Sequence, residues 1–107
     1  MINVSGFKVY PTEVENVIYQ HSSVAEVAVY GVKDAIKGEI VQANIILKQG
    51  YRISEEQILK FCAERMAKYK LPYAITFVDS LPKNPSGKVI KRFLRQQSSS
   101  ELAVVNN

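Results

Sequence analysis

Leu81-Pro82-Lys83-Asn84-Pro85-Ser86-Gly87-Lys88 decides how this chain is read. Two prolines remove backbone donors and fix φ, and Gly87 permits φ > 0, so the stretch is a loop by composition. Directly after it, Val89-Ile90-Lys91-Arg92-Phe93-Leu94-Arg95 reads as a short basic helix. A lysine at the tip of a rigid loop can be delivered into a site formed by another domain, and Lys88 is the candidate for that task. Lys83, Lys88, Lys91, Arg92 and Arg95 crowd this one stretch with no acid between them. Such a cluster suits a polyanion, whether nucleotide, coenzyme or nucleic acid; a solvated basic helix face is the plain alternative.

Outward from the loop, the remaining chain reads as a covered sheet. Apolar content of 47% and charged content of 22% over 107 residues are those of one folded domain, not of a disordered segment. At the N-terminus Ile2 and Val4, then Ser5-Gly6, then Phe7 and Val9 alternate as two short strands around a tight turn. Thr12 and Glu15 have capping-box spacing and predict a helix whose apolar face carries Val14, Val17 and Ile18. His21 is expected to be a helix-end or surface residue.

Val24 to Tyr30 is a β-rich run that Gly31 is expected to end, and Ile40 to Lys48 is a second strand. The polar connection between them contains Gly38, so the two should pair antiparallel against the first helix. Ser54 and Gln57 form a second capping box, opening a helix to about Ala67 with Ile58, Phe61, Cys62 and Met66 as its buried stripe. A third strand covers Ile75 to Val78. The fold class is therefore α+β: a short N-terminal β-hairpin plus a small three-stranded sheet packed with helices. Residues 1–95 form the domain, and 96–107 are expected to be a flexible tail.

Several chemistries are excluded or disfavoured. One cysteine, Cys62, allows no intramolecular disulfide, and its place in the buried stripe makes it a packed thiol. With a single histidine, a multi-histidine metal site or a His-centred triad has no support. No apolar run approaches the ~20 residues that span a bilayer. The lone cysteine fits a reducing compartment such as the cytoplasm.

Two segments resemble a known family. Met1 to Glu15, with Ser5-Gly6-Phe7-Lys8-Val9-Tyr10-Pro11-Thr12-Glu13 at its centre, is similar to the first signature in the C-terminal domain of adenylate-forming enzymes. Pro82 to Lys88 resembles that domain's last signature, P-K-x-x-x-G-K. Val24 to Asp34, Gly38-Glu39, Tyr69-Lys70-Leu71-Pro72 and Phe77-Val78 also follow the family's pattern, so the resemblance runs over about residues 1 to 95. The superfamily includes acyl-CoA and aryl-CoA synthetases, peptide-synthetase adenylation domains and beetle luciferases. The wording Ser-Gly-Phe-Lys-Val-Tyr-Pro looks most like medium- or long-chain fatty acyl-CoA synthetases.

The resemblance implies a mobile lid that serves two half-reactions: acyl-adenylate formation from a carboxylic acid and ATP, then thioester formation with CoA. It implies Lys88 as the catalytic lysine, Ser5 and Gly6 along the thiol path, and Lys8 near the adenylate or coenzyme phosphates. ATP and CoA would be co-substrates, with Mg2+ accompanying ATP through a large N-terminal domain that also binds the fatty acid. That domain and the hinge residue are not in this sequence, so the chain is expected to be a piece of a longer polypeptide, inactive as a ligase by itself. An adenylation or aryl-CoA ligase lid is the alternative within the class. A basic nucleic-acid-binding module and a structural domain docking on an acidic partner are rivals from other classes.

Overall fold

A computed structural model describes residues 1–97 of the chain. Strands β1 (Ile2–Val4) and β2 (Phe7–Val9) are followed by helix α1 (Pro11–Tyr19), then by the long strands β3 (Val24–Asp34) and β4 (Gly38–Leu47). Helix α2 (Glu55–Ala63), a 3₁₀ turn at Lys68–Lys70 and strand β5 (Ala74–Phe77) come next. A last helix, α3, covers 91–97, so Gln96 and Gln97 continue it; the rest of the expected tail lies outside the described residues.

The class is α+β as expected, with hairpin and sheet joined into one. The strands run β2-β1-β4-β3, and β5 lies parallel to β4. β3 occupies one edge of β4 throughout, from Val24↔Leu47 to Asp34↔Gly38. On the other edge, β1 meets β4 at Val4↔Gly38 and β5 lies beside Gln42 to Ile45.

Strand periodicity sorts the core into two layers. Val27, Val29, Val41, Ala43 and Ile45 point to one face, where Val14 and Ile18 of α1 and Ile58 and Cys62 of α2 cover them. Ala28, Tyr30 and Val32 point to the other face, under Leu81 and Leu94. That second layer contains polar side chains, all satisfied. The Tyr30 hydroxyl donates to Asn44 Oδ1 at 3.0 Å, and Gln42 Nε2 donates to Thr76 Oγ1 at 3.1 Å. The Pro82–Lys88 loop and α3 thus ride on the face opposite α1 and α2.

Three local expectations are corrected. Gly31 does not end β3, which runs on to Asp34. A Cβ at Gly31 would overlap the Glu39 carboxylate and lie 3.2 Å from Ile2 Cγ2, so the missing side chain makes room for packing inside the strand. The first capping box does not form: Tyr10 is the N-cap, with no side-chain bond, and Pro11 opens the helix. Glu15 instead reaches β3. α2 stops at Ala63 instead of Ala67, although its capping box at Ser54 and Gln57 is complete. Met66 nevertheless packs against the core as the stripe predicts.

Because β3 is an edge strand, its outward N–H groups need partners, and α1 supplies them. Val29 N donates to Glu15 Oε2 at 2.9 Å and Val27 N to the Tyr19 hydroxyl at 3.4 Å. His21 is half-buried at the end of α1, where its Nδ1 accepts from Ser23 N at 3.2 Å. Its ring meets Phe61 edge-on, a packing role.

Candidate functional site

The Pro82–Lys88 loop is closed by backbone and side-chain bonds that its composition only hinted at. Lys83 and Val89 form an isolated antiparallel bridge. Inside it, Asn84 N donates to Lys88 O and Gly87 N donates to Asn84 O, both at 2.9 Å. Gly87 takes φ +89°, a conformation that suits a residue without Cβ. At the base, Ile90 N donates to Pro82 O at 2.8 Å. Lys88 leaves this loop exposed, and among the described residues its ammonium has no carboxylate or acceptor.

The neighbouring cations differ. Lys83 Nζ pairs with Glu26 of β3 at 2.6 Å, and Lys91 Nζ pairs with Glu15 of α1 at 3.1 Å. The basic cluster of the sequence is thus partly neutralised by acids from distant elements. These pairs tie the loop to β3 and α3 to α1, on either side of Lys88. Lys88 is the free cation of an anchored loop.

The hairpin end has its own geometry. Ser5 and Gly6 both have positive φ, 51° and 89°, which makes the two-residue turn. Ser5 N donates to Lys37 O at 2.7 Å and Gly6 N to Asn3 Oδ1 at 3.0 Å. Asn3 N in turn donates to Glu39 Oε1 at 2.9 Å, so the carboxylate that overlies Gly31 also clasps the hairpin. No heavy atom lies within 4 Å of a Cβ built on Gly6, so its outer side is open. Phe7 stacks on Tyr69 at 4.7 Å, and the two rings, with Val4, Ser5, Lys37 and Lys68, line a shallow, mainly apolar pocket of about 440 Å³. Lys8 is exposed on β2 opposite Asn3, with no partner among the described residues.

The two candidate regions are far apart. Lys83 is anchored at Glu26, whereas Ser5 bonds the turn that follows Asp34. At about 3.3 Å per residue, Glu26 and Asp34 stand roughly 25 Å apart along β3. Ser5, Gly6 and Lys8 are therefore together, and Lys88 is not with them. One small ligand cannot touch both ends.

Cys62 is fully buried, and burial pushes its thiol up to about 11, with Arg65 acting weakly against it. It is a packed thiol, as its position in the helical stripe predicts. The Lys70 ammonium is raised above its ordinary value, chiefly by its 2.6 Å hydrogen bond to Glu13. Among the described residues no group of three His, Cys, Asp or Glu side chains is placed to hold a metal ion, and no helix is long and apolar enough to cross a membrane.

The sequence alone assigned no role to Asn84, which organises the lysine loop, or to Tyr69, which completes the hairpin pocket. A signal existed for the first, because Asn before Pro-Ser-Gly favours a side-chain-closed turn. None existed for the second, since the Phe7–Tyr69 contact depends on how the 3₁₀ turn docks.

Known proteins resemble this chain in sequence and in fold. The family model for the AMP-binding enzyme C-terminal domain matches residues 13–88. A Rhodococcus jostii 3-[(3aS,4S,7aS)-7a-methyl-1,5-dioxo-octahydro-1H-inden-4-yl]propanoyl:CoA ligase is 49% identical over 92 residues, covering 86% of this chain and 18% of that protein. A long-chain-fatty-acid–CoA ligase of Mycobacterium tuberculosis is 44% identical over 100 residues, covering 94% of this chain and 20% of the relative. The solved Mycobacterium tuberculosis fatty acyl CoA synthetase superposes with a TM-score of 0.88 at 44% identity, over 94% of this chain and 20% of its own. The chain spans about a fifth of the length of the relatives it matches. It belongs to the AMP-binding enzyme C-terminal domain family.

Proposed function

We propose that this domain is the mobile lid of an ATP-dependent fatty acid–CoA ligase, and that Lys88 is its catalytic lysine. The observation that carries the reading is the state of Lys88: an unpaired ammonium on a loop whose flanking cations are both tied to acids. In the first half-reaction a carboxylate oxygen attacks the α-phosphate of ATP, and pyrophosphate leaves. Both reactants are anionic, so their approach is repulsive. An ammonium between them offsets the repulsion and stabilises the charge that develops in the transition state.

The second half-reaction calls for the other end of the domain. Here the CoA thiol attacks the acyl-adenylate carbonyl and AMP leaves. The open side of Gly6 allows the pantetheine arm to lie against backbone, with Ser5 beside it, and the unpaired ammonium of Lys8 is suited to phosphate. The span of roughly 25 Å along β3 between Glu26, which anchors Lys83, and Asp34, beside the hairpin turn, supports sequential use of the two ends by rotation of the domain. Mg2+ would enter with ATP; the described residues offer no ligand group for it, and no step here depends on it.

A fatty acid is the proposed substrate, on the strength of the long-chain relatives; a ligase named for a bicyclic propanoyl group has a C-terminal segment at least as similar, so this domain does not itself select the acid. The large ATP- and acyl-binding domain is the proposed partner, in the cytoplasm. Engagement of Lys83 and Lys91 by Glu26 and Glu15 reduces the basic patch available to a nucleic-acid-binding module to Lys88, Arg92 and Arg95.

The test is Lys88→Ala in the complete ligase. Adenylation, followed by pyrophosphate exchange, should fall by about 10²–10³, while thioester formation from supplied acyl-adenylate persists. Equal loss in both steps, or in neither, would sink the assignment.

A further inference from the structure

We infer that Asn84 is a positioning residue for the adenylation step, acting through the backbone of Lys88; this rests on the catalytic role proposed for that lysine. Its side-chain carbonyl faces into the loop and accepts from Ser86 N at 3.0 Å, Ser86 Oγ at 2.8 Å and Lys88 N at 2.9 Å. Its own backbone is bonded on both sides, to Lys88 O and from Gly87 N. Pro82 and Pro85 have no N–H to contribute, so the loop depends on few donors, and Asn84 gathers most of those that remain.

The bond to Lys88 N matters most. Lys88 departs from the loop at an exposed position, with no side-chain hydrogen bond or ion pair among the described residues to hold it. The direction of its Cα–Cβ bond is therefore set by the backbone alone. Two bonds fix that backbone, Lys88 N to Asn84 Oδ1 and Lys88 O from Asn84 N, and both end on Asn84. Removing the side chain keeps the second and releases the first, which frees the peptide plane before Lys88. Electrostatic stabilisers work only when held in place, and a displacement of about 1 Å at the reacting atoms can cost about a hundredfold in rate.

Ser86 N and Lys88 N lie in an exposed loop, so water replaces Asn84 Oδ1 in a variant and the fold survives. That separates positioning from stability. In the complete ligase, Asn84→Ala should slow adenylation by about ten- to a hundredfold while leaving thioester formation from supplied acyl-adenylate within about twofold. In the 107-residue chain, amide exchange at Ser86 and Lys88 should accelerate in Asn84→Ala and stay slow in Asn84→Asp, which retains the acceptor. Lys88→Ala runs beside these variants. If it leaves adenylation intact, the lysine's role falls first. If Lys88→Ala abolishes adenylation but Asn84→Ala stays within about twofold of wild type, positioning by Asn84 is overturned. Equal loss of both half-reactions in Asn84→Ala overturns it too, as does exchange in Asn84→Asp as fast as in Asn84→Ala.

Discussion

Replacing Glu15 tests how the lysine-bearing face is fastened to the rest of the domain. The Glu15 carboxylate joins three elements: it belongs to α1, accepts from Val29 N of edge strand β3 at 2.9 Å, and pairs with Lys91 of α3 at 3.1 Å. Its side chain is 17% exposed, that of Lys91 is 30% exposed, and Val29 is fully buried. Glu15→Ala leaves a buried N–H without a partner, at about 1–3 kcal/mol. It also removes an ion pair worth about 1 kcal/mol in this half-exposed setting. The total of about 3 kcal/mol is a large fraction of a domain's ~5–15 kcal/mol and lowers Tm by ~10–20 °C.

Glu15→Gln keeps an oxygen for Val29 N and loses only the charge, so it should cost about 1 kcal/mol, as should Lys91→Met. Urea unfolding followed by circular dichroism measures all three, and amide exchange at Val29 should accelerate in Glu15→Ala alone. The reasoning fails if Glu15→Ala lies within about 0.5 kcal/mol of wild type, or if Glu15→Gln is as damaging as Glu15→Ala. In the second case the charge, and not the satisfied edge N–H, would carry the effect.

Further outcomes follow from the core and the hairpin. Cys62 has its thiol raised by burial from 9.0 to about 11, so the unfolded chain ionises first. Its contribution is complete below pH 9 and is lost as pH rises toward 11, on the order of 2 kcal/mol. The urea midpoint of wild type should therefore fall more steeply across that interval than that of Cys62→Ala, and a parallel decline would contradict the assignment. Gly6→Ala meets no atom but must hold φ +89°, which costs about 1 kcal/mol and is readable by urea unfolding. In the complete ligase the same variant should slow thioester formation and spare adenylation; equal rates in both steps would leave Ser5-Gly6 as a hairpin turn only.

The order of strands and helices was legible because local rules carry it. Alternating residues in β3 and β4, the capping box at Ser54, the turn at Ser5-Gly6 and the breaks at the prolines each depend on neighbours a few positions away. Lys88 was legible for the same reason, as the end of a loop defined by Pro82, Pro85 and Gly87. Gly31 misled because a glycine in a strand has two local meanings, a stop or a close approach, and the side chains that choose between them are Glu39 and Ile2.

Composition, periodicity and turn chemistry by themselves determined an α+β domain with a hairpin at one end and a lysine loop near the other. Tertiary structure alone decided which cations stay free. Lys83 and Glu26 are 57 residues apart in sequence, and Lys91 meets Glu15 from the far side of the sheet edge. A long polar side chain finds its partner through the approach of whole elements, which no spacing along the chain records. The Pro82–Lys88 loop was visible as a basic segment; its fold made it a single unpaired ammonium on an anchored frame.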